Sequence, residues 1–449
     1  MSSRIESRPT DGLTYDPNPP KYWDRAAFGK EETRIYDICH GCRLCFNLCP
    51  SFPALFDAID AKGDDVRNLS AAERERVVDL CYGCRLCYLR CPYTPRDGHE
   101  FQLDFPQLMQ RGKAIKVREH GVGLRGRILG DPDRLGKLSS VAPAIVNWAN
   151  KNPLQRVILE RTVGIHRNKK LPDFADETFE RWVAQRGLPE PPSQPAAKVA
   201  LFYTCILNFN NPAPAKAAVE VFARNNCALT CPKQNCCGMP ALDGGDIEFA
   251  KKEAAANVAS MLPLVKEGWR VVPMNPTCAL MMREEYPRLV GTENAHIVAA
   301  AVADPHELLY ELRRKGVFNR EFRSTPGTIA YHVPCHLKAQ NIGLRSRDLM
   351  RLIPDVQVTA VDACCAHDGT WAMKREYFEL SMKWGEKAFG PMREAGARVM
   401  ATDCSLAAIQ IEQATSTRPI HPIEVLARAY QPDGFDQPVR PAPPTPPAD

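Results

Sequence analysis

The chain has 449 residues, 44% of them hydrophobic, which is enough for two to four ordinary domains. No apolar run reaches the ~20 residues that a membrane-spanning helix needs, and the N-terminus lacks the apolar region of a secretory signal. We therefore expect a cytoplasmic protein, in which eighteen reduced cysteines indicate cofactor ligands rather than disulfides. The mild net charge of +5 and the lack of a recognised binding motif argue against nucleic acid as a partner.

Residues 1–30 are polar and include four prolines, so we expect a flexible N-terminal arm. The next segment, 31–110, contains one cysteine pattern twice. Both copies read C-x2-C-x2-C-x3-C-P, the run that holds [4Fe–4S] clusters in bacterial ferredoxins. In two-cluster ferredoxins, three cysteines of a run bind one cluster and the fourth binds the other. The predicted ligands are Cys39, Cys42, Cys45 and Cys91 for site 1, and Cys81, Cys84, Cys87 and Cys49 for site 2.

Zinc and disulfides are the alternatives for these two runs. Structural zinc usually takes two C-x2-C pairs, or Cys and His pairs, rather than a run of four that ends in Cys-Pro. Disulfides need an oxidising compartment. Between the runs, Ser70 and Glu73 form the S-x-x-E pattern that begins a helix, so we expect helices to join the cysteine loops. This arrangement resembles the α-helical ferredoxin module of succinate dehydrogenase-type iron–sulfur subunits, and it predicts two [4Fe–4S] clusters.

Residues 111–195 form a connector with an uneven charge. Between Arg111 and Lys170 there are fourteen Lys and Arg but only four Asp and Glu. Such a basic belt is typical of a surface that meets anionic lipid or an acidic protein, although an ordinary solvated surface is equally compatible. Gly121 to Gly126 match G-x-G-x-x-G, but no clear apolar strand precedes them, and we interpret this match as coincidental.

From residue 196 the pattern changes to alternating strands and helices, and it does so twice, in 196–315 and 316–430. In each half, single cysteines follow two buried strands and an adjacent cysteine pair lies between them. The carboxyl ends of parallel strands meet at one edge of a sheet, so each set of four thiols is expected to converge on a site for a soft metal. The candidate ligands are Cys205, Cys236, Cys237 and Cys278 for site 3, and Cys335, Cys364, Cys365 and Cys404 for site 4. The tail, 431–449, carries seven prolines and is expected to be disordered.

Several segments of the second half resemble a known family. They are Tyr331-His332-Val333-Pro334-Cys335-His336-Leu337, the pair Cys364-Cys365 followed by Asp368-Gly369-Thr370, the run Thr402-Asp403-Cys404, and His421-Pro422-Ile423. The two halves resemble the cysteine-rich CCG domains of heterodisulfide reductase and its relatives, which include iron–sulfur subunits of glycolate oxidase, lactate-utilisation systems and anaerobic glycerol-3-phosphate dehydrogenase. The resemblance implies an α+β multidomain fold, with an N-terminal α-helical ferredoxin module followed by two α/β cysteine-rich (CCG-type) domains.

The chain departs from this family at three positions. The family ends each domain with C-x-x-C, but here Met281 and Ala407 replace the last cysteine. Ala366 stands where the CCG pattern has glycine, and a left-handed backbone there would cost alanine about 1–2 kcal/mol. Four cysteines per domain suffice for one ordinary cluster or for zinc, and inert buried thiols are the remaining alternative. We interpret Cys227 and Cys231 as core residues.

The resemblance implies an electron-transfer subunit without catalytic residues of its own. Its partner would be a flavin dehydrogenase, its acceptor a quinone or another carrier, and its place the cytoplasm or the inner-membrane surface. A thiol–disulfide reductase of the heterodisulfide type is one alternative. A redox partner of a peroxide-detoxifying diiron protein is the other.

Overall fold

The N-terminal module consists of helices, with the two cysteine runs in and around the loops between them. The computed structural model describes residues 5–439 of the chain. The helices are α1 (Arg25–Cys42), α2 (Ser51–Asp60), α3 (Ala71–Leu80), α4 (Leu86–Arg90) and α5 (Phe105–His120). Ser70 and Glu73 exchange hydrogen bonds at the start of α3, so the S-x-x-E prediction is confirmed. Phe52, Leu55 and Leu108 are buried in one core that joins α2 to α5.

The segment before α1, which we expected to be a flexible arm, makes specific contacts with α5. Arg111 is fully buried and donates hydrogen bonds to the main-chain carbonyls of Gly12, Lys21 and Tyr22. A buried charge is costly without such partners, so these carbonyls hold the segment against the helix. Helix α1 also begins at Arg25, earlier than the predicted boundary at residue 31.

The connector is helical along most of its length. Its helices are α6 (Leu124–Gly130), α7 (Pro132–Ser139), α8 (Pro143–Lys151), α9 (Pro153–Thr162) and α10 (Phe179–Arg186). Helices α7, α8 and α9 each begin with proline, which suits the first helical position because the N–H that proline lacks would have no partner there. The G-x-G-x-x-G match follows helix α5 and runs into the start of α6 rather than following a strand, which agrees with its rejection as a cofactor loop. Within residues 5–439, no helix is long and apolar enough to cross a membrane.

The first cysteine-rich domain alternates strands with helices, as its sequence predicts. Its elements are β1 (Ala197–Phe202), α11 (Cys205–Phe209), α12 (Ala213–Arg224), β2 (Cys227–Thr230), α13 (Met239–Asp243), α14 (Ile247–Lys266), β3 (Arg270–Pro273), α15 (Pro276–Leu280), a π-helical turn (Met281–Glu285), α16 (Tyr286–Val290), α17 (Glu293–Ala300) and α18 (Pro305–Arg314).

The second domain repeats this plan with fewer helices. Its elements are β4 (Ser324–Thr325), β5 (Thr328–His332), α19 (Cys335–Ala339), α20 (Arg345–Met350), β6 (Gln357–Val361), α21 (Phe378–Glu394), β7 (Val399–Thr402), α22 (Ser405–Thr415), α23 (Pro422–Ala429) and β8 (Gln437–Pro438). β8 pairs antiparallel with β4, while residues 440–449, where most of the predicted disordered tail falls, lie outside the described residues.

Each domain is built on a three-stranded parallel sheet whose first long strand is central. The orders are β2-β1-β3 and β6-β5-β7, and all pairings within these two sheets are parallel. One hydrophobic core runs through both domains, because Val199 and Leu201 of the first sheet belong to the same buried cluster as Ile329 and Tyr331 of the second. The predicted α+β multidomain fold is therefore confirmed, and the two domains are fused into one body.

Candidate functional site

The two N-terminal cysteine loops share one backbone feature, a left-handed residue at the same position of each run. Arg43 and Arg85 occupy the same position of their runs, between the second and third cysteines, and both are left-handed, with φ of +51° and +60°. This conformation costs a residue with a side chain about 1–2 kcal/mol. It turns each loop tightly enough for cysteines separated by two intervening residues to point to one centre, and the Arg43 N–H closes the turn on the carbonyl of Cys39 at 2.8 Å.

The four thiols of site 1 lie together. Burial, and then the neighbouring thiols of Cys45, Cys91 and Cys42, raise the pKa of Cys39 well above its usual range. Cys91 is thus next to the first run although it belongs to the second. Cys42 is exposed, so this group of thiols reaches the surface of the module.

Site 2 gathers the remaining four cysteines of the module in its interior. Burial raises the pKa of Cys87 well above the usual value, and Cys49 and Cys81 are the nearest thiols that raise it further. Cys49 is buried, which raises its pKa, and Cys81 of the other run is the thiol that raises it most. The structure thus groups each fourth cysteine with the opposite run. Cys45 also raises the pKa of Cys87, so the two groups adjoin.

Site 3 forms where β1, β2 and β3 end. The Sγ atoms of Cys205 and Cys236 are 3.9 Å apart, close to the ~3.8 Å between two sulfurs on one tetrahedral metal with 2.3 Å bonds. Hydrogen bonds from Cys205 and then from Cys237 lower the pKa of Cys236 well below its usual range. Cys278 is a neighbour of Cys237, whose pKa it raises. The first predicted set of four is therefore brought together.

Site 4 has the same design at the ends of β5, β6 and β7. Hydrogen bonding to Cys335, and then to Cys84 of the ferredoxin module, lowers the pKa of Cys364 well below the usual value. Burial, followed by Cys364 and Cys404, raises the pKa of Cys365. The second predicted set is also brought together. Its contact with Cys84 is new, because nothing in the sequence places sites 2 and 4 side by side.

The two departures from the C-x-x-C ending lie in different surroundings. Ala407 lines the cavity beside site 4, whereas Met281 is fully buried in the core of the first domain.

Cys227 is a core residue, as interpreted, and its thiol donates a hydrogen bond to the Asn225 carbonyl. Cys231 is partly buried against the same core. All eighteen cysteines fall within residues 5–439 and are free thiols, so each of the four sites offers a complete set of soft sulfur donors.

Charged side chains of the connector reach both C-terminal sites. Lys169 is almost fully buried, hydrogen-bonds Gln410, and has its pKa lowered to about 7, mainly by burial. It faces Cys365, whose pKa it lowers. At site 3, Asp133 accepts a hydrogen bond from the Cys236 N–H, and burial raises the pKa of Asp133 to about 7. Sequence reasoning missed both residues, because both lie in the basic connector far along the chain from the cysteines they approach.

Sites 3 and 4 open onto one cavity of about 300 Å³, which all eight of their cysteines line. His336 on its wall bonds to Thr277 of the first domain and to the Gly83 carbonyl of the ferredoxin module, with separations of 2.9 and 3.2 Å. Burial lowers the pKa of His336 to about 4, so this bridge between three modules is neutral. The connector also lines this cavity, with residues that include Val146 of α8 and Leu159 of α9.

The connector helices are apolar on two faces. Val146 and Leu159 point into the cavity, while Ile145 and Ile158, their immediate neighbours in sequence, are exposed on the outside. A helix that covers a core needs only one apolar face. The exposed apolar side chains of this segment are Leu124, Leu135, Leu138, Val141, Ile145, Trp148, Leu154 and Ile158.

Comparison with known proteins agrees with this architecture. Residues 32–120 match the Citrate utilization protein B Fer4-like domain, and residues 199–283 and 329–412 each match the cysteine-rich CCG domain. The chain is 30% identical over 407 residues to the C-subunit of anaerobic glycerol-3-phosphate dehydrogenase from Escherichia coli K12, covering 88% of this chain and 98% of that protein. It is 29% identical over 187 residues to lactate utilization protein A of Geobacillus thermodenitrificans, covering 39% of this chain and 75% of that protein.

Proposed function

This chain belongs to the C-subunit family of anaerobic glycerol-3-phosphate dehydrogenase, and from that premise we propose that it carries electrons from a partner dehydrogenase, of the flavin type, to a quinone or another acceptor. The observation that supports this most is the unbroken series of thiol groups. Site 1 reaches the surface at Cys42 and adjoins site 2 through Cys45 and Cys87. Site 2 adjoins site 4 through Cys84 and Cys364, and sites 3 and 4 share a cavity.

Sulfur-ligated iron fits these sites best. We propose a [4Fe–4S] cluster at each of sites 1 and 2, where the ligation run is complete. Sites 3 and 4 offer four converging thiols each, which suits a further iron–sulfur cluster or zinc. Bound iron–sulfur clusters would supply one-electron carriers. The protein's own part is to hold the sulfurs, to exclude water from site 2, and to place the Lys169 amine beside site 4.

We further propose that the connector rests on the inner-membrane surface. Its exposed apolar side chains would enter the headgroup region, and nearby basic residues would meet anionic lipid. The basic side chains of Arg134, Lys137 and Arg161 are exposed in this segment. The exposed apolar side chains and these cations occupy one continuous segment of helices α6 to α9.

The test of electron transfer uses the anaerobically purified full chain. Cys364→Ser breaks the series where sites 2 and 4 meet, and Cys227→Ser is the matched control, since Cys227 is a buried thiol outside all four sites. We expect Cys364→Ser to retain the reduced-cluster EPR signals of sites 1 and 2. We also expect it to pass electrons from the reduced partner to the acceptor far more slowly than the control.

Two results would contradict this function. A full chain that binds zinc but no iron after anaerobic reconstitution would remove the carriers. Robust reduction of organic disulfides by the chain, lost in Cys364→Ser, would favour the thiol–disulfide reductase instead.

A further inference from the structure

Asp403, the residue directly before Cys404, is the centre of a buried polar network. Its carboxylate accepts hydrogen bonds of 2.5 Å from the hydroxyl groups of Tyr331 and Ser346, which belong to the same domain. Its third neighbour is His306, whose Nδ1 lies 3.2 Å from a carboxylate oxygen. His306 belongs to α18 of the first domain, so this last contact crosses the boundary between the two domains.

His306 and Asp403 form an ion pair in the protein interior. Both side chains are at most 1% exposed. Burial alone would lower the pKa of His306, but the carboxylates of Asp304 and Asp403 raise it to about 9, so the ring is charged at neutral pH. Asp304 also accepts the main-chain N–H of His306 at 2.9 Å, which fixes the start of α18. Removal of one partner from a buried ion pair is strongly destabilising, so each partner holds the other in place.

A second contact of the same kind leads in the opposite direction. Thr277 directly precedes Cys278 of site 3, and its hydroxyl oxygen lies 2.9 Å from Nδ1 of His336 in the second domain. Each domain thus contributes a histidine that contacts the residue before the last cysteine of the other domain. Because neither domain has the second cysteine of the C-x-x-C ending, each of these last cysteines is single, and its position depends on the residues around it.

We propose that His306 is a positioning residue for site 4, and that it acts through Asp403 on Cys404. The imidazolium of the first domain holds the carboxylate, and the carboxylate holds the end of β7, where Cys404 follows. The fourth ligand of site 4 is therefore in place only when the first domain is docked. The inference rests on the iron–sulfur cluster proposed above for site 4, and it adds that this cluster depends on a side chain of the other domain.

The experiment follows the EPR signals of the anaerobically purified full chain, and their decay when a chelator removes iron. The signal of site 4 is identified as the one that is absent from Cys365→Ser. His306→Leu removes the ion pair with a side chain of similar size, whereas His306→Asn keeps an N–H donor at the position of Nδ1. His296→Leu is the matched control, since His296 is an exposed histidine of the same domain.

We expect His306→Leu to change the g-values of the site 4 signal and to speed its decay by more than about tenfold, because breaking a buried ion pair is strongly destabilising. The signals of sites 1 and 2 should decay as in the parent chain. His306→Asn should restore the parent spectrum and decay rate, and the control should match the parent. A general loss of stability would instead reach site 3, in the domain of His306 itself, at least as strongly as site 4.

Several results would overturn the inference and leave the proposed function standing. They are an unchanged site 4 signal in His306→Leu, equal damage to sites 3 and 4, equal damage by His306→Leu and His306→Asn, and a parent chain with clusters at sites 1 and 2 but none at site 4. A parent chain without any cluster signal would overturn the proposed function as well. If His306→Leu does not fold, His306→Gln replaces it, because its amide reaches the position of Nε2 rather than that of Nδ1. A site 4 signal equal to the parent's in that variant then overturns the inference.

Discussion

The outer face of the connector gives a quantitative prediction for membrane binding. Ile145 and Leu154 are 68% and 75% exposed, on adjacent helices. Fully burying an Ile or Leu side chain contributes about 1.5–3 kcal/mol, so each of these would contribute roughly 1–2 kcal/mol on entering the interface. The double variant Ile145→Gln/Leu154→Gln should therefore weaken vesicle binding by about 2–4 kcal/mol, which is roughly 30-fold to 1,000-fold.

The assay is co-sedimentation with vesicles that contain anionic lipid, at several salt concentrations. Exposed Lys and Arg contribute about 1 kcal/mol each near such a surface, and salt screens that contribution, so binding should fall as salt rises. Val317→Gln is the control, since Val317 is 49% exposed but lies outside the connector. Exposed substitutions change stability by about 0.5 kcal/mol or less, so unfolding does not confuse the result.

Three outcomes would refute the reasoning. The double variant could bind as tightly as the parent, Val317→Gln could weaken binding equally, or the parent chain could bind neutral and anionic vesicles alike. The first two would show that the exposed apolar row has no special role. The third would leave the basic residues as an ordinary surface or as a docking site for protein.

The other predictions concern the interior. Cys49→Ala should remove iron from site 2 while the EPR signal of site 1 persists, because Cys49 lies with Cys81 and Cys87; loss of site 1 alone would contradict the crossed grouping. Lys169→Met should be more stable than the parent at pH 6, with the difference shrinking as pH rises from 7 towards 10. Burial lowers the pKa of Lys169 from 10.5 to about 7, so the unfolded chain binds more protons over this interval and the parent gains stability with pH, by up to about 5 kcal/mol. Melting temperatures of both proteins across that range check the sign, and a constant difference would mean that Lys169 keeps its ordinary pKa.

Local features of this fold follow from short sequence patterns. The strands were predictable from runs such as 199–202 in β1, which are apolar because both faces of a parallel sheet are buried. The strain at Ala366 was also predictable, because the CCG pattern has glycine at this position. The structure gives Ala366 a left-handed backbone with φ of +53°, and the equivalent Gly238 has a φ of +91°. Each of these features depends on neighbours within a few residues, and the sequence displays those directly.

Contacts between modules could not be predicted in the same way. Cys84 and Cys364 meet only because the ferredoxin module packs on the second domain, and neither run contains a signal for that packing. Burial of Lys169 and Arg111 contradicts the usual preference of charged residues for the surface. Both depend on acceptors that lie far away along the chain, so only the assembled structure shows them.

The packing of Trp371 against the ferredoxin module has a consequence for how the protein is made. Its indole N–H donates to the carbonyl of Asp79, 292 residues earlier in the chain, and its ring lies 5.0 Å from that of Tyr82. A ribosome adds about 5–20 residues per second, so roughly 15–60 s separate the synthesis of these partners. During that time the second cysteine run, although already translated, lacks part of its covering. The growing chain therefore exposes these thiols to oxidants and stray metal ions until the last domain emerges.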